Sequence, residues 1–304
     1  MKDIERQIIQ KICNNNLLEA KKYAKPFLQQ NTTKKDEQFC CRMLTLLNNP
    51  SNSLMELPAN ISSFLIMEDT ALSFNEERYF LSDREKEVVD NILKMDMVAE
   101  KLAGMKINYT NSVMLYGESG TGKTTLGRCI AKKLGMPFAY INLSTILDSY
   151  LGGTQKNIAR AFDFIKQQRC VFMLDEIDAI GIRRGSSNDV AELSRTTISL
   201  MQNIDMLPNN VVLLGATNRI DTIDEALLRR FSMKHEVKRL NQSERLSLIF
   251  KYFDDVGYEG IEAEALRLSE YNIYQSELVN QIVNIISDNF IKEAEQALED
   301  MCNE

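Results

Sequence analysis

The chain of 304 residues holds a single histidine and no H-E-x-x-H pattern, so it carries no zinc-peptidase centre of that kind. Its six cysteines (Cys13, Cys40, Cys41, Cys129, Cys170 and Cys302) form no C-x-x-C pair, which leaves little to build a zinc site. They read as reduced thiols of a cytoplasmic protein. No apolar run approaches the ~20 residues needed to cross a bilayer, and the opening MKDIERQIIQ lacks the apolar core of a secretory signal. A membrane location is therefore not expected. A basic C-terminal module, a helix-turn-helix signal and an aromatic-rich basic groove are all missing, so nucleic acid is an unexpected partner. The chain has no internal repeat.

Charge is unevenly placed. Residues 1–50 carry nine Lys/Arg against five Asp/Glu, whereas residues 241–304 carry four against fourteen. An acidic C-terminal segment of this kind argues against a DNA-binding role for it. Ile4, Ile8, Ile9 and Ile12, and later Phe39, Met43, Leu44 and Leu47, fall at helical spacing, so residues 1–50 read as a small helical unit. The Asn, Ser and Pro content that follows marks a linker over 51–75. A helix is expected over 83–103. Strand-like runs at 113–116, 138–142, 170–175, 211–217 and 234–240 then alternate with helical runs at 123–134, 154–168 and 189–204. Short apolar strands alternating with helices predict a parallel sheet covered on both faces, an α/β core over 76–240. His235 lies in the last of these strands and reads as structural. Residues 241–304 read as helices only.

The run LYGESGTGKTTLG, residues 115–127, is too rich in glycine for the interior of a helix or strand. Gly117, Gly120, Gly122, Lys123 and Thr124 fit G-x-x-x-x-G-K-[ST], and the strand before and helix after supply the context that pattern requires. Glycines let successive N–H groups of residues 117–125 (with Glu118, Ser119, Thr121 and Thr125 completing the loop) point inward as an anion nest, at the positive end of a helix dipole. Lys123 then reaches the β- and γ-phosphates of a nucleoside triphosphate, and the Thr124 hydroxyl ligates Mg²⁺. A second apolar run, CVFMLDEID, ends in Asp175 and Glu176. Carboxylates at a strand's C-terminal end face the crevice where open α/β sheets bind ligands. Asp175 is placed to hold Mg²⁺ and Glu176 to polarise an attacking water. The run VVLLGATN ends in Asn218, whose amide can bond the water or the γ-phosphate. In DEALLRRF, Arg229 and Arg230 suit the stabilisation of charge on a transferring phosphoryl group. If they cannot reach their own Lys123 they serve a neighbour's site, and the chain forms a ring.

On these motifs the chain resembles AAA+ ATPases of the protein-remodelling AAA branch, over about residues 105–290. GESGTGKT is similar to the Walker A motif, VFMLDEID to Walker B, and GATNRIDTIDEALLRRF to the second region of homology. The resemblance implies a P-loop α/β core with a small C-terminal helical lid, ATP and Mg²⁺ as ligands, and a homo-oligomeric ring, a hexamer. It makes Asn218 the sensor of γ-phosphate, and Arg229 and Arg230 fingers acting on the neighbouring subunit. Glu118 and Ser119 stand where the family writes two prolines, and the two arginines abut where the family usually separates them. In the lid run IYQSELVNQIV, Ser276, Glu277 and Leu278 fit the family's segment beside adenine, but Gln275 replaces its glycine.

Between the two Walker motifs, Ser149-Tyr150-Leu151-Gly152-Gly153 resembles the aromatic–hydrophobic–Gly pore loop that grips polypeptide in AAA unfoldases. Tyr150 can intercalate between side chains of any sequence. A polar loop at 181–192, with Arg183 and Arg184, could line the same pore. Three kinds of work fit these residues: a ring that threads or remodels protein, aided by a partner effector or peptidase; a nucleic-acid motor or loader; and an ATP-dependent assembly switch. The first is the leading expectation.

Overall fold

A computed structural model describes residues 3–13, 23–28, 40, 55, 57–107, 109–149, 153–180, 189–258 and 262–303. Of the N-terminal unit, helix α1 (Asp3–Cys13) and a helical stretch over 23–28 lie within this set. Among the described residues no helix is long and apolar enough to cross a membrane.

The centre of the molecule is a six-stranded sheet made from β1 (Ile66–Glu68), β2 (Asn111–Tyr116), β3 (Phe138–Asn142), β4 (Val171–Asp175), β5 (Val212–Thr217) and β6 (Met233–Glu236). Its order is β1-β3-β4-β5-β2-β6, with every pair parallel except β1 against β3. Successive side chains on a strand point to opposite faces. Val171 and Met173 accordingly enter one apolar cluster and Phe172 and Leu174 the other. The first cluster is closed by α2 (Asp83–Gly104), through Val88, Val89 and Ile92, and by α3 (Lys123–Leu134), through Leu126, Cys129 and Ile130. The second is closed by α4 (Leu143–Ser149), α5 (Thr154–Ile165) and α6 (Asp189–Asp205), which supply Ile146, Phe162 and Leu200. Phe162 meets Phe172 edge to face at 5.2 Å. Each such fully buried side chain contributes on the order of 1.5–3 kcal/mol.

The last strand feeds a separate apolar cluster. Val237 still donates to the Tyr116 carbonyl (2.8 Å), and the chain then enters α8 (Gln242–Asp255), after the single turn α7 (Glu225–Leu228) that precedes β6. A capping box of Asn241 and Glu244 fixes where α8 starts. With α9 (Glu262–Glu270) and α10 (Gln275–Asn303) it buries Leu248, Ile249, Phe253, Leu268, Leu278 and Ile282. This is the helical lid.

Two expectations are corrected. From Leu57 onward the stretch 51–75 is part of the core rather than a linker. Leu65 and Met67 are buried, β1 pairs with β3, and Asp69 caps a turn at Thr70–Ser73. The strand expected over 234–240 spans Met233–Glu236, because the chain turns away toward the lid after Val237. His235 lies on that strand opposite Leu115.

Candidate functional site

The parallel strands β2, β4 and β5 are neighbours and end at the same edge, which sets the loop after Tyr116 beside Asp175 and Thr217. Gly117 N–H donates to the Thr217 carbonyl (3.3 Å), tying the loop's first residue to β5. The backbone at Gly120 and Gly122 has φ of +79° and +98°, a region closed to most residues bearing Cβ, and α3 begins directly at Lys123. Thr121 is buried and its hydroxyl donates to the Glu118 carbonyl at 2.9 Å, bracing the curl from inside. Such a loop at a helix N-terminus is a ready-made anion site.

Lys123 is buried and fully engaged. Its Nζ donates to the carbonyls of Gly117 and Glu118, both at 2.8 Å, and to Asn218 Oδ1 at 2.6 Å. Burial pulls its pKa below the ordinary lysine value, and the carboxylates of Asp175 and Asp178 offset part of that. With Oδ1 occupied as acceptor, the Asn218 amide keeps its Nδ2 donors for a ligand. Asp175 Oδ2 accepts from Thr124 Oγ1 (3.1 Å) and from Tyr140 OH (3.1 Å), while its Oδ1 accepts from Glu176 N–H (2.9 Å). Burial, then the Asp175 carboxylate, pushes the Tyr140 phenol up to about 12, so it stays a hydrogen-bond donor. Glu176 takes the left-handed backbone region at φ +52°, uncommon for a residue with a side chain, and its carboxylate accepts from Ser144 Oγ. Ser144 is itself oriented through its backbone N–H, which donates to Asn142 Oδ1 at 2.9 Å.

These groups open onto one cleft of about 660 Å³ between core and lid, within the size range of ligand sites. Its polar end presents Ser119, Gly120, Gly122, Lys123, Thr124, Thr125, Asp175, Glu176 and Asn218. Its other end carries the apolar and aromatic side chains of Phe74, Tyr79, Leu248, Tyr252 and Val279 alongside Ser73, Asn75, Arg78 and Asn280, and Gln275 and Ser276 lie across the loop. A polar floor long enough for phosphates and an apolar end that accepts a flat base suit a nucleotide. The donors also suit Mg²⁺, which keeps several waters and takes one or two protein oxygens plus substrate phosphates. The Thr124 hydroxyl and Asp175 carboxylate, already in contact, are such a pair. Among the described residues no cluster of three or more His, Cys, Asp or Glu could cage a metal by itself.

Not every residue singled out in the sequence lies in this cleft. Glu118 points away from it, toward Arg239. Arg229 and Arg230 lie at the end of α7, outside the lining. Arg230 is held by Asp205 (3.2 and 3.1 Å) and by the Ala226 carbonyl (2.7 Å), whereas among the described residues Arg229 reaches only Glu225 at 3.5 Å and its side chain is 77% exposed. Tyr150 and Leu151 lie outside the described residues, as do Arg183 and Arg184. Sequence reasoning missed Tyr140, Asn142 and Ser144. A signal existed for them: Asn142 ends β3 level with Asp175, so the rule that singled out Asp175 and Asn218 applied there too. The apolar end had no such signal, because Phe74 and Tyr79 come from irregular chain.

Residues 113–239 match the family described as "ATPase family associated with various cellular activities (AAA)". The 26S proteasome regulatory subunit 10B homolog A of Arabidopsis thaliana is 34% identical over 194 residues, 61% of this chain and 49% of that protein. A proteasome-activating nucleotidase of Methanoculleus marisnigri is 33% identical over 194 residues, 61% of this chain and 46% of the relative. An ATP-dependent zinc metalloprotease FtsH of Lachnoclostridium phytofermentans is 36% identical over 159 residues, 50% of this chain and 28% of the relative. The chain thus spans about half the length of these curated relatives, or less. The matched stretch runs from the strand that carries the phosphate loop to the residues before the C-terminal helices, and over that stretch the chain carries an AAA ATPase domain similar to those of the proteasomal and FtsH relatives.

Proposed function

We propose that the chain binds ATP with Mg²⁺, hydrolyses it within a ring of its own copies, a hexamer, and uses the cycle to remodel or thread protein substrates in the cytoplasm. The observation that carries the proposal is the meeting of Lys123, Thr124, Asp175, Glu176 and Asn218 at one end of a single cleft. In this reading Lys123 exchanges its intramolecular acceptors for β- and γ-phosphate oxygens. Asn218, freed from the ammonium, orients the attacking water, and the Glu176 carboxylate takes up that water's proton as general base. Thr124 and Asp175 would hold the metal, which would supply positive charge against that building on the transferring phosphoryl group. Ser276 and the apolar end seat the base.

Arg229 is the finger that reaches a neighbour's site: it is exposed and weakly tethered, whereas Arg230 is anchored within its own subunit. The remodelling role rests on the relatives, two named for proteasomes and one for a protease, and on the Tyr150–Leu151 pair, whose flanking glycines suit a gripping loop. A separate effector or peptidase is the proposed partner, on the ground that two of the relatives are named as proteasome ATPase subunits or activators.

The test is ATPase stimulation by an unfolded protein and by single-stranded DNA, in the wild type and in Tyr150→Ala. Unfolded protein should stimulate the wild type. Tyr150→Ala should keep basal hydrolysis and lose substrate remodelling. Stimulation by DNA alone, weakening steeply with salt, would overturn the reading.

A further inference from the structure

Glu118 departs from the family pattern, and the structure gives it a partner outside the nucleotide cleft. Its Oε2 accepts from Arg239 Nε at 2.6 Å. Arg239 follows β6 where the chain passes into the lid, and its guanidinium also donates to the Tyr274 hydroxyl and lies over the Tyr274 ring, 3.8 Å from its centre. Tyr274 is the residue before α10. Directly after it, the Ser276 N–H donates to the Gly120 carbonyl at 3.2 Å, and the Gln275 side chain packs on Gly122, where an added Cβ would come within 2.7 Å of its oxygen. One arginine thus joins the phosphate loop to the first residues of the lid's longest helix, and the backbone of that helix closes over the same loop.

We propose that Arg239 is a positioning residue: by bridging Glu118 and Tyr274 it latches the lid onto the phosphate loop and slows the escape of bound nucleotide. The bridge is charge-assisted at one end and stacked at the other, so a planar guanidinium suits it in a way an ammonium does not. It touches neither phosphate nor base, and acts through the two elements it joins. The pair is partly exposed, with 31% of the Arg239 side chain and 60% of Glu118 open to solvent, so its strength depends on ionic strength. The proposal rests on the cleft being a nucleotide site, as argued above.

The experiment measures dissociation of a fluorescent ADP analogue from the full chain by stopped flow, at low and high salt. The wild type is compared with Arg239→Ala, Glu118→Gln and the double variant. Release is expected to quicken about fivefold in Arg239→Ala at low salt, in keeping with the modest worth of a partly exposed ion pair. Glu118→Gln should release faster too, and the double variant no faster than Arg239→Ala, since both changes cut one link. High salt should quicken the wild type toward the variants and leave the variants unchanged, a signature that loss of general stability does not produce. In steady state Arg239→Ala should show a raised KM with kcat unchanged or higher. Normal binding with unaltered release in the variants, or additive effects in the double variant, would overturn the latch. Failure of the wild type to bind the analogue would instead overturn the nucleotide site itself.

Discussion

Glu176 and Asp175 are neighbours in sequence, and the different tasks proposed for them follow from their different surroundings. Asp175 is tied down by Thr124, Tyr140 and a backbone N–H, which suits a group that must stay in place. Glu176 is held mainly by a serine hydroxyl that it can exchange for water. Glu176→Gln is therefore expected to bind ATP as the wild type does and to lose turnover by about 10²-fold or more, the usual worth of a general base. Equilibrium binding of an ATP analogue beside steady-state hydrolysis checks both halves. The two arginines separate in the same way. Arg229→Ala should leave the unfolding midpoint unchanged, depress hydrolysis, and lower wild-type activity more than proportionally when the two are mixed. Arg230→Ala should cost about 1 kcal/mol of stability, because it removes the donors held by Asp205 and Ala226. Proportional loss on mixing Arg229→Ala would show that this residue does not act across subunits. At this scale the sequence names most of the polar end of the cleft, since spacing and strand-end position carry the chemistry. It is silent on the pairing of Arg239 with Glu118, because a salt bridge between residues 121 apart leaves no local pattern.

Elements follow the same logic. β2, β4 and β5 are buried on both faces, so their apolar runs are continuous and easy to read. β1 is three residues long and sits at the sheet's edge, too short for any alternation to show. The residues before it include Asn60, Ser62 and Ser63, whose polarity is that of a loop, yet Leu65 and Met67 beside them are buried. Burial is the property that a short polar-flanked stretch hides. Leu65→Ala is accordingly expected to destabilise the core by roughly 2–5 kcal/mol, as large-to-small changes at filled sites do. A linker residue would change stability by less than about 0.5 kcal/mol. Chemical denaturation of wild type and variant decides between the two. The lid's helices are legible from their spacing, but the seat they rest on is not: Asn75 and Arg78 both bind Asp255, across 180 and 177 residues.

Across the whole molecule, the two apolar clusters seal Cys129 and Cys170 completely. Burial pushes both thiols up to about 12, so neither presents a thiolate at neutral pH. Alkylation of these two cysteines in the native protein should follow global unfolding, slowing when a nucleotide analogue is added, because a ligand bound only to the folded state stabilises it. Peptide mapping after timed alkylation reads this out, and labelling as fast as that of a free thiol would contradict the packing described for α3 and β4. The engagement of Lys123 has a consequence on the same scale. Its ammonium has an acceptor for each of its three N–H groups before any ligand arrives. Nucleotide binding would therefore be a trade of partners for this lysine, whose contribution to affinity is the difference between two sets of bonds. A difference of that kind is easily tipped by small movements of the loop or of Asn218. The loop can then keep its curl with no stranded charge at its heart, ready to take up phosphate when one arrives.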